Sequence, residues 1–106
     1  MARKVIWAYA AEEDLDAAAA YIHRDSPAYA ASFVHRALEA GRSLNELAER
    51  GRVVPELRDN SIREIFIYSY RLVYRMEDDR ISIVALIHGR RDFQTAWDEK
   101  DRSNRE

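Results

Sequence analysis

The hydrophobic period of the chain changes at Gly51, and this change constrains the fold more than any other feature of the sequence. Before Gly51, apolar residues recur at intervals of three and four, which is the spacing of a helix with one buried face. After it, they alternate with polar residues, as they do in a strand whose sheet is covered on one side. The first half therefore predicts helices and the second half predicts an antiparallel sheet.

Turn and cap residues divide the first half into a strand and two helices. The β-branched run Arg3–Trp7 predicts a strand, and the alanine-rich segment Ala10–His23 predicts an amphipathic helix. Pro27 ends this helix because proline disfavours helical backbone in the residue before it. Ser26 is then an N-cap with Pro27 at the first position of a second helix, which continues to the terminator Gly51. So short a link predicts an antiparallel helical hairpin.

Three alternating segments in the second half predict an antiparallel meander. They are Arg63–Tyr68, Tyr70–Met76 and Arg80–His88. The last segment is apolar on both faces, one of which would carry Ile81, Ile83, Ala85 and Ile87 and the other Val84 and Leu86. Such a strand lies inside a sheet or beneath a second covering layer.

The expected fold class is α+β, in the order β-α-α-β-β-β. A short helix over Asp92–Trp97 or a tail follows the last strand. The length of 106 residues corresponds to one domain, which we expect at residues 1–97 with a charged tail at 98–106.

Composition excludes several classes of protein. The chain has no cysteine, so disulfide scaffolds, thiol catalysis and cysteine-based zinc sites are excluded. It also lacks an apolar run of about 18 residues and a signal-peptide core, which favours a cytoplasmic protein. The net charge of −2 is not that of a strongly basic nucleic-acid binder. Metal-ligand spacing and Gly-rich phosphate loops are missing, so we expect neither a metal nor a cofactor.

The arginines of the second half suggest a binding surface. Fifteen of the 17 basic residues are arginines, a side chain suited to bidentate contacts with carboxylate or phosphate. If the tyrosines Tyr70 and Tyr74 face the helices as core aromatics, the odd-numbered residues of their strand project from the opposite sheet face. Apolar side chains between arginines favour a partner-covered surface, with the binding residues Arg63, Arg71, Val73, Arg75, Arg90 and Arg91.

The alternative for this surface is a solvated face. In that case the arginines pair across strands with acids such as Glu64, Asp78 or Asp79, at about 0–1 kcal/mol per pair. A cluster of guanidinium groups also suits phosphate.

Four runs of residues carry a resemblance to a known family. They are Gly51-Arg52-Val53-Val54-Pro55-Glu56-Leu57, Ile62-Arg63-Glu64-Ile65, Tyr70-Arg71-Leu72-Val73-Tyr74-Arg75 and Ile87-His88-Gly89-Arg90-Arg91-Asp92. In this order they resemble the ParE/RelE superfamily of bacterial toxins, and Ala10–Ile22 with Asp25-Ser26-Pro27 is similar to its helical hairpin. The resemblance implies the toxin half of a type II toxin–antitoxin pair, such as those that stabilise plasmids, neutralised by a cognate antitoxin. An extended or helical antitoxin segment is expected to contact Arg71, Arg75 and Arg90.

The superfamily contains two chemistries, and the sequence favours the ParE branch. ParE-like members are taken to inhibit DNA gyrase without a nuclease site, whereas RelE-like members cleave mRNA on the ribosome. The sheet region has no lysine and the total charge is negative, which disfavours RNA binding. In the nuclease alternative, the resemblance and the titration range of histidine assign catalysis to His88, with Arg71, Arg75 and Arg90. A third possibility is a non-toxic interaction module of the same fold, so an enzymatic activity is left open but not favoured.

Overall fold

The computed structural model describes residues 2–105. The elements in chain order are β1 (Lys4–Trp7), α1 (Tyr9–His23), α2 (Pro27–Ser43), β2 (Arg52–Val53), β3 (Ile62–Ile67), β4 (Tyr70–Met76), β5 (Arg80–His88) and α3 (Phe93–Arg105). This order confirms the predicted α+β class. Two features go beyond the prediction, the two-residue strand β2 and the length of α3.

One five-stranded sheet has the strand order β1-β5-β4-β3-β2. Strands β2 to β5 are antiparallel neighbours, and β1 pairs with β5 in parallel, with Trp7 opposite Ile83. Strand β5 therefore lies inside the sheet, as its two apolar faces predict. The N-terminal strand closes one edge and β2 covers part of the other.

The helical hairpin forms as predicted and packs on one face of the sheet. The Ser26 side chain accepts a hydrogen bond from the backbone N–H of Tyr29 at 3.1 Å, with Pro27 at the start of α2. Phe33 and Leu44 are fully buried against the sheet. This hydrophobic contact fixes the antiparallel arrangement of α1 and α2 over β3, β4 and β5.

The second helix ends at Ser43, well before Gly51, so the predicted terminator was wrong. Asn45 explains the early end because it joins the chain to the N-terminal segment. Its carbonyl accepts from the Arg3 N–H at 3.0 Å, and its side-chain amide donates to the Arg3 carbonyl at 2.7 Å. These bonds turn the chain away from the helix axis.

A β-bulge in β5 corrects the predicted face alternation. Val73 lies opposite Ala85 and Tyr74 opposite Ile83, so Val84 is the extra residue. Beyond the bulge the side chains exchange faces. Leu86 packs with the helical hairpin, whereas Val84, Ala85 and Ile87 pack on the other side.

The third helix covers the second face of the sheet, so the expectation of a bare arginine-bearing face was wrong. Phe93, Ala96 and Trp97 of α3 are buried against Val73 and Ile87. The helix also continues to Arg105, through the segment expected to be a charged tail. The apolar residues of the second face are thus covered by the chain itself. No helix within residues 2–105 combines the length and apolarity that crossing a membrane requires.

Candidate protein-interaction site

Arg71, expected to be exposed for a partner, is buried in an ion network beneath α3. Its guanidinium donates to both oxygens of Glu56, at 2.7 and 3.0 Å, and to Glu64 through Nε. Arg52 donates to the second Glu64 oxygen at 2.7 Å. The Phe93 ring lies 4.3 Å from the guanidinium carbon of Arg71 and closes the site.

Every buried charge in the network is paired with a group of opposite charge. The Glu64 side chain has no exposed area, and two guanidinium groups compensate its carboxylate. Hydrogen bonds from Arg71 lower the pKa of Glu56, and the same bonds raise the pKa of Arg71. The pairing of Arg71 with Glu64, weighed above as the alternative for a solvated face, is present here in buried form. Arg71 and Val73 are therefore inaccessible to a partner in this structure.

The other predicted binding residues do not form one surface. Arg63 donates to the carbonyls of Gly51 and Asn60 at 3.1 and 3.2 Å. Arg75 is half-buried near one end of β4, while Arg90 and Arg91 follow the opposite end of β5. Arg91 pairs with Glu99 at 3.2 Å, and the backbone N–H of Arg90 donates to His88 Nδ1 at 3.0 Å.

The nuclease set is not assembled either. His88 lies opposite Tyr70. Arg75 is five residues further along β4 than Tyr70, which corresponds to about 17 Å along the strand. Arg71 is on the face beneath α3. Of the three candidate arginines, only Arg90 lies beside His88.

A cleft next to His88 contains a residue that the sequence analysis did not identify. Asp14 accepts from the backbone N–H of Leu86 at 3.0 Å and forms an ion pair with Lys100 of α3. It thereby caps the edge of β5 beyond the end of β1. Asp14 lies within Ala10–Ile22, the segment that is similar to the family's helical hairpin, and the bulge that brings the Leu86 backbone to α1 leaves no signal in the sequence.

The hairpin between β3 and β4 bears an exposed aromatic cluster. Ile67 pairs with Tyr70, so Tyr68 and Ser69 form a two-residue turn in which Tyr68 has a φ of 52°. The Tyr68 ring packs against Tyr29 of α2 at 4.9 Å between ring centroids. The Arg36 guanidinium carbon lies 5.1 Å from the centroid of the Tyr68 ring.

Arg90 belongs to the same end of the molecule. The Gly89 N–H donates to the Ser69 carbonyl at 2.8 Å, which fixes the start of the segment containing Arg90 against the turn. We call Tyr29, Arg36, Tyr68 and Arg90 the tip site. The only sequence signal for it is a two-residue connection that lacks the Gly or Asn usual in such turns.

Beside Tyr68 lies a shallow cleft of about 400 Å³, lined by Ala31, Ser32, His35, Arg36 and Tyr68. It presents a guanidinium, an imidazole and two hydroxyl groups, which can bind an anionic group. Among the described residues 2–105, no three His, Asp or Glu side chains are placed together as metal ligands.

Comparison with known proteins agrees with this architecture. The family profile described as ParE toxin of type II toxin–antitoxin system, parDE, matches residues 5–93. The chain is also similar to a solved structure, "Chromosomal ParDE TA system from P. aeruginosa", with a TM-score of 0.66 and 21% identity over 81% of this chain and 95% of that chain. At this identity the structural likeness supports the fold. No curated protein is significantly similar to the chain.

The family profile covers Val5 of β1 through Phe93, the first residue of α3, which includes the helical hairpin and all of the sheet except Lys4. Because it spans most of the sequence, and because the fold agrees, the chain belongs to the ParE toxin family of type II toxin–antitoxin systems.

Proposed function

We propose that the protein is a toxin that acts in the cytoplasm by binding and inhibiting DNA gyrase, and that a cognate antitoxin neutralises it. Family membership supports the toxin role. The separation of His88 from Arg71 and Arg75 supports a binding mechanism over RNA cleavage, because two of the three arginines that would stabilise a phosphorane are not beside the histidine. This separation is the observation on which the choice of mechanism depends.

The charge of the molecule supports the same choice. A chain with 19 acidic and 17 basic residues gains less from counterion release on RNA than a basic protein does. The exposed arginines are scattered or stacked on aromatic rings, an arrangement common at protein–protein interfaces.

A supercoiling assay tests the proposed target. We expect the purified protein at micromolar concentration to block supercoiling of relaxed plasmid by gyrase, and the protein encoded by the adjacent gene to restore it. Relaxation of the same plasmid by a type I topoisomerase is the control and should be unaffected.

Two other outcomes would contradict gyrase inhibition. Intact supercoiling together with mRNA cleavage in a translating extract, abolished by His88→Ala, would assign the protein to ribosome-dependent cleavage. Intact supercoiling, intact mRNA and normal growth on expression without antitoxin would indicate a non-toxic interaction module.

A further inference from the structure

We propose that the tip site, formed by Tyr29, Arg36, Tyr68 and Arg90, binds an acidic segment of the antitoxin. The proposal rests on the function proposed above, in which an antitoxin neutralises this chain. The proposal places the antitoxin contact at the exposed end of the β3–β4 hairpin, and not on the arginine-bearing face that α3 covers. Three observations support it, namely backbone strain, exposed aromatic area and unpaired cations.

The first observation is the backbone of Tyr68. A φ of 52° is in the left-handed region, where residues other than Gly, Asn and Asp are unfavourable. Such strain persists where the surrounding structure enforces it, and it is concentrated at functional positions. A glycine at this position would form the turn without that strain.

The second observation is that the Tyr68 ring remains partly exposed although it stacks on the buried Phe33, at 6.2 Å between ring centroids. It is 39% exposed, and Tyr29 beside it is 46% exposed. Beneath them, Phe33 and Tyr70 lie 5.0 Å apart between ring centroids and belong to the core cluster under the hairpin. The two outer tyrosines therefore present a rigid aromatic surface of the kind that anchors protein interfaces.

The third observation is the charge of the tip site. Neither Arg36 nor Arg90 forms an ion pair with a carboxylate of the described chain, residues 2–105. Glu39, an acid on the same helix, instead contacts His35 at 3.1 Å. Arg36 lies over the Tyr68 ring and lines the adjacent cleft. Guanidinium groups that form no ion pair within the part of the chain that the structure describes are complementary to carboxylates of a partner.

A nucleic acid is the other polyanion that such a surface suggests, but the rest of the molecule opposes it. The chain has a net charge of −2, and α1 carries an exposed acidic cluster of Glu12, Glu13 and Asp16. A long phosphate backbone would be repelled by these charges, whereas a short acidic peptide segment contacts the tip site alone.

Affinity measurements with the full-length antitoxin encoded by the adjacent gene test the proposal. Tyr68→Gly relieves the turn and removes the ring, so we expect about tenfold weaker binding with an unchanged melting temperature. Arg36→Gln should weaken binding by roughly threefold to tenfold, with a smaller dependence on salt. Tyr68→Asn, which also tolerates a positive φ, provides a second variant if the glycine affects folding.

Two matched controls separate the tip site from general surface effects. Tyr9→Ala removes a tyrosine that is 75% exposed at the start of α1. Arg42→Gln removes an exposed arginine from the last turn of α2. Both should bind the antitoxin as the wild type does.

Equal affinity of the Tyr68 and Arg36 variants and the wild type would overturn the tip site and leave the toxin–antitoxin pairing intact. Failure of the wild-type chain to bind the antitoxin would instead overturn the proposed function. Tyr68-dependent binding of a single-stranded RNA oligonucleotide, in place of the antitoxin, would overturn the assignment of an acidic protein segment.

Discussion

The guanidinium of Arg71 and the carboxylate of Glu64 depend on each other because both lie beneath α3. Taking charged groups out of water is costly, and their pairing compensates that cost without adding much stability. Removing one partner is therefore far more damaging than replacing both. The main effect of the network is to fix the positions of the β2–β3 segment and of α3 against the sheet.

Arg71→Met should lower the free energy of unfolding by about 3 kcal/mol, because it leaves the buried Glu64 carboxylate with Arg52 alone. Urea denaturation measures this loss. The double variant Arg71→Met with Glu64→Gln should recover part of it, since the buried charge is gone. Arg80→Met, which breaks the exposed pair with Glu77, is the control and should have much less effect. Equal losses for Arg71→Met and Arg80→Met would contradict a buried network.

Gly51 is a packing glycine and not a helix terminator. A Cβ at this position would lie 2.6 Å from the Glu64 carbonyl and 2.8 Å from Tyr74 Oη. The Tyr74 hydroxyl donates to the Ala48 carbonyl at 2.7 Å and accepts from the Gly51 N–H at 2.9 Å. The close approach allows one buried hydroxyl to join the loop to the sheet.

Gly51→Ala should destabilise the fold by about 1–3 kcal/mol, because backbone and a buried ring would have to move. Thermal unfolding provides the measurement. Gly89→Ala is a matched control, since its Cβ would meet only the Ser69 carbonyl, at 3.1 Å, and should cost less. A Gly51→Ala variant as stable as the wild type would show that the loop adapts without cost.

At the scale of elements, α3 provides the layer that makes the second sheet face part of the core. Its first half is anchored by buried apolar side chains and its second half by polar contacts. Asp92 caps the helix, accepting from the Thr95 N–H at 3.0 Å and its hydroxyl at 2.6 Å. Further along, the Asn104 amide donates to the Val84 carbonyl in the bulge at 3.1 Å, and Lys100 pairs with Asp14.

Deleting residues 98–106 should lower the free energy of unfolding by about 1–3 kcal/mol, because the contacts of Lys100 with Asp14 and of Asn104 with the Val84 carbonyl are lost. Chemical denaturation of the shortened chain measures the effect. Lys100→Ala with Asn104→Ala in the full-length chain should reproduce most of it. A deletion without effect would mean that this segment is a dispensable tail.

Local sequence patterns predicted most helices and strands, but not the distant residues that these elements contact. The cap at Ser26 and the alternation of β4 depend on neighbours in sequence, so the hairpin and the meander could be anticipated. The bulge at Val84 and the contact of Lys100 with Asp14 depend on residues distant in the chain. For the same reason the arginines of β4 were assigned to a binding surface, since nothing local shows that α3 folds back over them. The tip site could not be predicted from local patterns either, because it is formed by a three-dimensional contact between the β3–β4 turn and α2.

At the scale of the whole molecule, several carboxylates are stabilised in their charged form. Hydrogen bonds from Arg71 lower the pKa of Glu56, and those from Ser82 and Arg80 lower the pKa of Glu77. The hydroxyl and N–H of Ser61 likewise lower the pKa of Asp59. Each of these groups contributes stability while it is ionised in both states.

A depressed folded-state pKa gives stability that is present above the unfolded value and lost as pH falls through the folded one. With an ordinary glutamate value of 4.5, the protein should be stable near neutral pH and lose stability progressively below about pH 5. Denaturation at a series of pH values checks this. Glu56→Gln should flatten part of the slope, whereas Glu49→Gln, which changes an exposed glutamate, should not. Equal stability at neutral and acidic pH would contradict the prediction.

The parallel pairing of β1 with β5 has a consequence for biosynthesis. Strand β1 is made well before β5, the strand with which it pairs, so the sheet cannot close until residues 80–83 have also emerged from the ribosome. A prematurely terminated chain keeps β1 without a neighbour and exposes apolar surface, which marks it for aggregation or proteolysis. The two helices and strands β2 to β4 are therefore all made before β1 can pair with its neighbour.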